Sequence, residues 1–390
     1  MLGKTNSGFS ARRSVVPDGK DSLAVYTSID TALSAYISRL MRRYHPLYGA
    51  LAALDPVSGR IFTLVTYTGD SMPDLGGNLC LRSLFPAASV FKTVTAAAAI
   101  EHGGYTAWSQ VKHRGRMSTL YRSQLVPEID DGNELTFAQA YARSINGVFG
   151  RIGMYTVGKE RLLEMSGSLG FNRTIPGELI CDSSKVYPSE SDYNLAETAS
   201  GFNQKTTLSP LLGALVASAV AVNGCMPVPT LIDSVVRVKD GSLRYSAQPA
   251  MWRRAISEST ARELRDMMSA VVKYGTASKH FHDFKNSRRF AEFACGGKTG
   301  SVDKDGIGRV DWFIGFAAHP RHPDERIAVA AVTAHGAYWT VHSSYLASEA
   351  MRVYLRTLQE RKKQYVADAA TSGSPAPPPD VSSSSTETGP

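Results

Sequence analysis

The sequence has no run of the roughly 18 consecutive apolar residues that a membrane span needs. Its start, Met1-Leu2-Gly3-Lys4-Thr5, lacks the apolar core of a signal peptide. Either the chain is soluble as made, or an export segment lies outside this sequence. Cysteine is scarce: Cys80, Cys181, Cys225 and Cys295 stand far apart, with no Cys-x-x-Cys pair. That excludes a zinc ribbon, a dithiol redox motif and a disulfide-dense scaffold, and leaves buried free thiols as the simplest reading. There is no internal repeat and no Gly-rich strand-to-helix turn of the dinucleotide-binding kind. A phosphate loop ending at Lys298-Thr299 fails as well, because position 292, where its first glycine belongs, is glutamate.

What is present is globular. The 390 residues are 43% hydrophobic and 20% charged, enough for a large buried core. The formal charge of +8 suits nucleic acid, anionic lipid or an acidic polymer without choosing among them. Charge alone points to nucleic acid, so none is expected as a partner.

Residues 1–22 are polar and read as a flexible N-terminal segment. Residues 366–390 end in a Ser/Pro/Thr-rich stretch and read as a disordered tail. Between them, Leu33, Ile37, Leu40, Met41 and Tyr44 recur at helical spacing from about Asp30. Ala50–Leu54 and Ile61–Tyr67 are apolar runs around a turn, hence two strands. A mostly helical middle, about residues 80–285, includes Val94–Glu101, Thr136–Tyr155 and Pro210–Val222. Strands return at Phe290–Thr299, Asp311–Ala318 and Ile327–Ala334, before a last helix over about Ser343–Arg361. Two early strands and three late ones must pair to bury their apolar faces. The expectation is an α+β fold: a five-stranded, mainly antiparallel sheet flanked by terminal helices, with an all-helical insertion. One catalytic-size domain over 23–365 follows.

Three short motifs carry chemistry. Ser-x-x-Lys occurs at Ser89–Lys92, Ser109–Lys112 and Ser301–Lys304, but only Ser89 opens a clear helix. Residues three apart share a helical face, so the Lys92 amine can lie beside the Ser89 hydroxyl. Taken alone, Ser89 reads as a helix cap and Lys92 as a solvated charge. Ser144-Ile-Asn146 and Lys298-Thr-Gly300 each occur once. The former alone reads as turn-forming residues at a helix end. The combination, in the order SxxK, SxN, KTG, is far more specific than its parts. It matches the active-site set of penicillin-binding proteins and serine β-lactamases.

Over about residues 25–360 the chain resembles the transpeptidase module of penicillin-binding proteins. Gly49-Ala-Leu-Ala-Ala-Leu-Asp-Pro56 with Gly59-Arg-Ile61 resembles the family's opening hairpin, and Leu84-Phe-Pro-Ala-Ala-Ser89 its approach to the nucleophile. Thr207-Leu-Ser-Pro-Leu-Leu212, running on to Ala221-Val-Asn-Gly224, resembles its long helix, and Asp311-Trp-Phe-Ile-Gly-Phe316 the strand after KTG. There are departures. Ala88 stands where the family often has glycine, Ser301 where threonine often follows KTG, and only about 25 residues precede the module.

The resemblance implies a β-lactamase/transpeptidase-like fold and a D,D-transpeptidase acting on D-Ala-D-Ala stem peptides of peptidoglycan. Ser89 would be the nucleophile and Lys92 its base, with a pKa brought down from near 10.4 by burial and by the neighbouring Lys298. Ser144 would relay a proton, and Asn146 would hold the substrate amide. Lys298 and Thr299 would bind the terminal carboxylate, and Gly300 would let the substrate backbone approach the strand edge. The backbone N–H groups of Ser89 and Ser301 would form the oxyanion hole. No metal or organic cofactor is implied. β-Lactams would be inhibitors, cell-wall synthesis proteins candidate partners, and the periplasm or cell envelope the place of action. The alternatives are a D,D-carboxypeptidase or endopeptidase, a β-lactamase (Glu190 and Asn194 having the spacing of one deacylating loop), and a non-catalytic β-lactam sensor.

Overall fold

The computed structural model describes residues 12–372, apart from Lys20 and residues 188–190. Asp30 accepts from the Leu33 N–H at 2.9 Å and so caps α1 (Thr31–Tyr44), which buries Leu33, Ile37, Leu40 and Met41. Strands β1 (Tyr48–Leu54) and β2 (Ile61–Thr68) follow as a hairpin. The late strands are β3 (Ala294–Lys304), β4 (Gly308–Ala318) and β5 (Arg326–His335). Together they form one five-stranded sheet in the order β3-β4-β5-β1-β2, antiparallel at every pairing. The expected α+β architecture is the one observed.

Every residue of β1 is buried, and nearly every residue of β5, because both faces of the sheet are covered. Helix α1 and the last helix, Ser343–Ser372, pack on one face, and the helix Pro210–Ala221 on the other. This leaves β3 at the edge, with its outer side unpaired by any strand among the described residues. No helix among the described residues is long and apolar enough to cross a membrane.

Several expectations need correction. The insertion over 80–285 is not all-helical. It holds a hairpin of Gln110–His113 with Asn133–Thr136, a pair of Cys225–Pro227 with Met251–Arg254, and the strands Ile232–Arg237 and Leu243–Ser246. Those last two join Asp21–Thr27 and Arg13–Asp18 in a separate four-stranded sheet. Residues 13–18 are therefore not loose, and the boundary expected at 22 cuts through a strand. At the other end the final helix runs on to Ser372, past the boundary expected at 365. Arg361 pairs with Asp30 at 3.1 Å and Lys362 with Glu325 at 3.0 Å, tying this helix back to the body. Residues 1–11 and 373–390 lie outside the described residues.

Candidate active site

Ser89 sits in a single 3-10 turn, Ala88–Phe91, that runs directly into α2 (Lys92–Gly103). Its hydroxyl does not cap the helix. It lies 2.7 Å from Lys92 Nζ. The turn is strained: Ala88 has φ +50°, a left-handed conformation that costs a non-glycine residue on the order of 1 kcal/mol. Glycine would adopt this conformation without that cost. The segment Asp192–Ser200 (α3) and the residue after it hold the turn in place. A Cβ on Gly201 would stand 1.9 Å from the Ala88 carbonyl oxygen, so only glycine lets the two backbones meet.

Lys92 is fully buried. Its Nζ lies 2.7 Å from Asn146 Oδ1 and 2.6 Å from the Ser200 carbonyl oxygen, besides Ser89. Burial pushes its pKa well below the ordinary lysine value, and the nearby charge of Lys298 lowers it further. The Ser200 oxygen and Asn146 Oδ1 can only accept, so each takes an N–H bond from Lys92, and the Ser89 hydroxyl oxygen accepts the third. The Asn146 amide is oriented by its own donation from Nδ2 to the Ser118 carbonyl at 2.8 Å.

Between the helices Phe137–Ala142 and Asn146–Arg151 the chain turns through Ser144, which has φ +57°. The turn-forming reading of Ser144–Asn146 at a helix end agrees with this break. The break turns the Ser144 hydroxyl toward Lys298 Nζ, 2.9 Å away. Lys298 is also fully buried, donates to the Thr299 carbonyl at 2.8 Å and lies over the Tyr141 ring. Desolvation brings its pKa down to about 7. Burial and the charge of Lys298 together work against the ammonium form of Lys92.

Gly300 also has a role within the fold. A Cβ there would meet the backbone nitrogens of Val90 at 2.9 Å and Ser89 at 3.0 Å. Its bareness admits the Ser89 turn onto β3. Trp312, opposite Gly300 on β4, donates from Nε1 to the Pro86 carbonyl at 2.7 Å and pins the same approach from the neighbouring strand. Thr299 and Ser301 alternate to the other side of the strand, where Thr299 hydrogen-bonds Thr276.

Ser89, Ser144, Asn146, Thr299, Gly300 and Ser301 all line one cleft of about 790 Å³, and Lys92 and Lys298 lie buried just behind it. All eight singled-out residues thus converge. A sequence profile of the penicillin binding protein transpeptidase domain matches residues 49–352. The chain belongs to that family. Among curated relatives, this transpeptidase-family chain is 23% identical over 317 residues to stage V sporulation protein D of Bacillus subtilis, covering 77% of the chain and 48% of the relative. It is 24% identical over 323 residues to peptidoglycan D,D-transpeptidase PbpA of Mycolicibacterium smegmatis, covering 75% and 62%. The chain therefore spans about half to three-fifths of these relatives. Among solved structures, the D,D-transpeptidase domain of a peptidoglycan glycosyltransferase from Eggerthella lenta superposes with a TM-score of 0.69 at 25% identity, covering 86% of this chain and 83% of that one. Penicillin-binding protein A of Mycobacterium tuberculosis, as an imipenem acyl-enzyme complex, gives a TM-score of 0.68 at 22% identity, with coverages of 85% and 79%.

Sequence reasoning missed two residues that touch this cluster. Ser200 enters through its main-chain carbonyl, which no side-chain pattern announces. Thr276, beside Thr299, belongs to no motif. Of the alternative pair, Glu190 lies outside the described residues and Asn194 stands on α3.

Proposed function

We propose that this chain is a serine-type D,D-transpeptidase that binds β-lactams and acts on D-Ala-D-Ala stem peptides of peptidoglycan. The observation that carries the reading is the amine of Lys92, buried, with two N–H bonds committed to pure acceptors and its remaining valence aimed at the Ser89 hydroxyl. Serine is a poor nucleophile until a base takes its proton, and an uncharged lysine at this distance can take it.

In this reaction the Ser89 oxygen attacks the carbonyl of the penultimate D-Ala while Lys92 accepts the hydroxyl proton. The developing oxyanion is met by the backbone N–H groups of Ser89 and Ser301. Asn146 holds the substrate amide. Lys298, with Thr299, holds the terminal carboxylate, and the proton reaches the departing D-Ala amine through Ser144. The acyl group then passes from Ser89 to an amine of a second stem peptide. A β-lactam opens on Ser89 in the same way and stays attached. The site of action is the cell envelope, where peptidoglycan lies, and cell-wall synthesis proteins are the partners such a module would meet.

A neutral main-chain oxygen, from Ser200, is the third partner of Lys92. At Lys92 the partner is thus a carbonyl rather than a carboxylate. The test is labelling by a fluorescent penicillin, followed by product analysis with a stem pentapeptide donor and an amine acceptor. Labelling lost in Ser89→Ala together with a cross-linked product supports the proposal. Absence of labelling in the parent protein sinks every acyl-enzyme reading. Free D-Ala without a cross-link makes the enzyme a carboxypeptidase, rapid β-lactam turnover a β-lactamase, and a stable adduct with no peptide product a sensor.

A further inference from the structure

Three carboxylates border the cleft: Glu197, Asp303 and Asp311. Two of them are engaged. Asp303 accepts from Arg309 Nη1 at 3.4 Å, and Asp311 accepts from the Ser343 backbone N–H at 2.7 Å. Glu197 is partly buried, and its carboxylate has no hydrogen-bond or ion-pair partner among the described residues. It stands on α3 one turn before Ser200, about 4.5 Å along the axis from the residue whose carbonyl holds Lys92. An unpaired carboxylate in a half-desolvated cleft asks for a cation. Desolvation accordingly holds its pKa above the ordinary carboxylate value, against the opposing pull of Lys205.

The cleft's other charged groups are Arg143, Lys205 and Arg309, all positive and suited to anionic ends of a substrate. The reaction proposed above, on which this inference rests, brings one cation to the site. Its acceptor is a primary amine, which near neutral pH arrives as an ammonium with no lone pair to attack. We propose that Glu197 receives the acceptor: it binds the incoming ammonium beside the acyl group on Ser89 and takes one proton from it. The freed amine then forms its bond to the acyl carbon as the bond from that carbon to Ser89 Oγ breaks. The nitrogen's surplus proton passes through Lys92 to Oγ and restores the hydroxyl. The proton on Glu197 leaves to solvent, so the step balances with no further reagent.

The experiment separates acylation from transfer. The purified chain is given a D-alanyl thioester as donor and D-alanine as acceptor, and the ratio of aminolysis to hydrolysis is followed in the parent, Glu197→Gln and Glu197→Asp. Fluorescent-penicillin acylation serves as the measure of the earlier step and of folding. In Glu197→Gln the ratio should fall at least about tenfold, while acylation changes by no more than about twofold. Glu197→Asp should recover part of the ratio. An unchanged ratio in Glu197→Gln overturns the proposal. So does a parallel loss of acylation, which would make Glu197 structural, and so does an equal loss of hydrolysis, which would make it a base for water. A parent protein that penicillin does not acylate overturns the transpeptidase reading and this inference with it. A parent that is acylated normally beside a fully competent Gln variant overturns the inference alone.

Discussion

The two lysines of the cleft are buried to the same degree, yet their surroundings differ. Lys92 belongs to the helical side, at the head of α2, among a hydroxyl and two oxygens that can only accept. Lys298 belongs to the sheet side, in the middle of β3, with the Ser144 hydroxyl and its own neighbour's carbonyl. Equal burial with unequal partners teaches that position in the fold divides the labour. In the proposed reaction the helical lysine is the one to accept a proton, and burial with the neighbouring charge lowers its pKa to that end. The strand lysine, titrating at about 7, is in that reaction the one to carry charge for part of the time and to attract a carboxylate.

Arginine breaks the comparison most sharply, since it cannot lose its proton. Lys92→Arg should lower the rate of penicillin acylation by about a thousandfold or more, while Lys298→Arg should lose only about tenfold to a hundredfold. Equal losses in stopped-flow acylation would show that the two amines share one role. Next in size is Gly300→Ala, which pushes the Ser89 turn away from β3. It should slow acylation by about tenfold or more and destabilise the fold by about 1–3 kcal/mol in urea titration.

The pH profile sharpens the contrast further. Acylation should rise with pH as Lys92 loses its proton, then decline by about tenfold above pH 7 as Lys298 loses its own. In Lys298→Met the alkaline decline should vanish while the acid limb stays. The smallest effect is thermodynamic. The folded pKa of Lys298 lies below its unfolded value, so the parent carries its full burial penalty below about pH 7 and sheds it as pH rises toward the unfolded lysine pKa. Lys298→Met should therefore gain about 1–4 kcal/mol of stability at pH 6, and progressively less toward pH 10. A gain independent of pH would place the cost elsewhere.

The sequence made the five-stranded sheet legible because Tyr48–Leu54 and Arg326–His335 are uninterrupted apolar runs. It misplaced β3. Phe290 and Phe293 looked like strand residues, but Phe290 packs on Phe284 and Phe293 in an aromatic cluster outside the sheet. The strand itself is diluted by Gly296, Gly297 and Gly300, each bare because something stands close against it. The four-stranded sheet near the start was illegible for a different reason. Leu243–Ser246 is exposed throughout, so no alternation marks it, and Pro17 stands in the edge strand Arg13–Asp18, where a missing N–H is tolerated. The eight site residues were legible because each is a side chain, or a bare backbone, within a motif. The reason for Gly300 and the part of Ser200 were not, since both arise from contacts between segments distant in sequence.

The oxygen that Ser200 lends to Lys92 has a consequence for the genetics of this site. Ser89 and Asn146 can each be erased by a single codon change. The Ser200 contribution cannot, because every amino acid brings the same carbonyl. Removing it means displacing the end of α3, and Gly201, wedged against Ala88, leaves that end nowhere to go without carrying Ser89 along. Variants selected under drug pressure should spare this corner and accumulate around it.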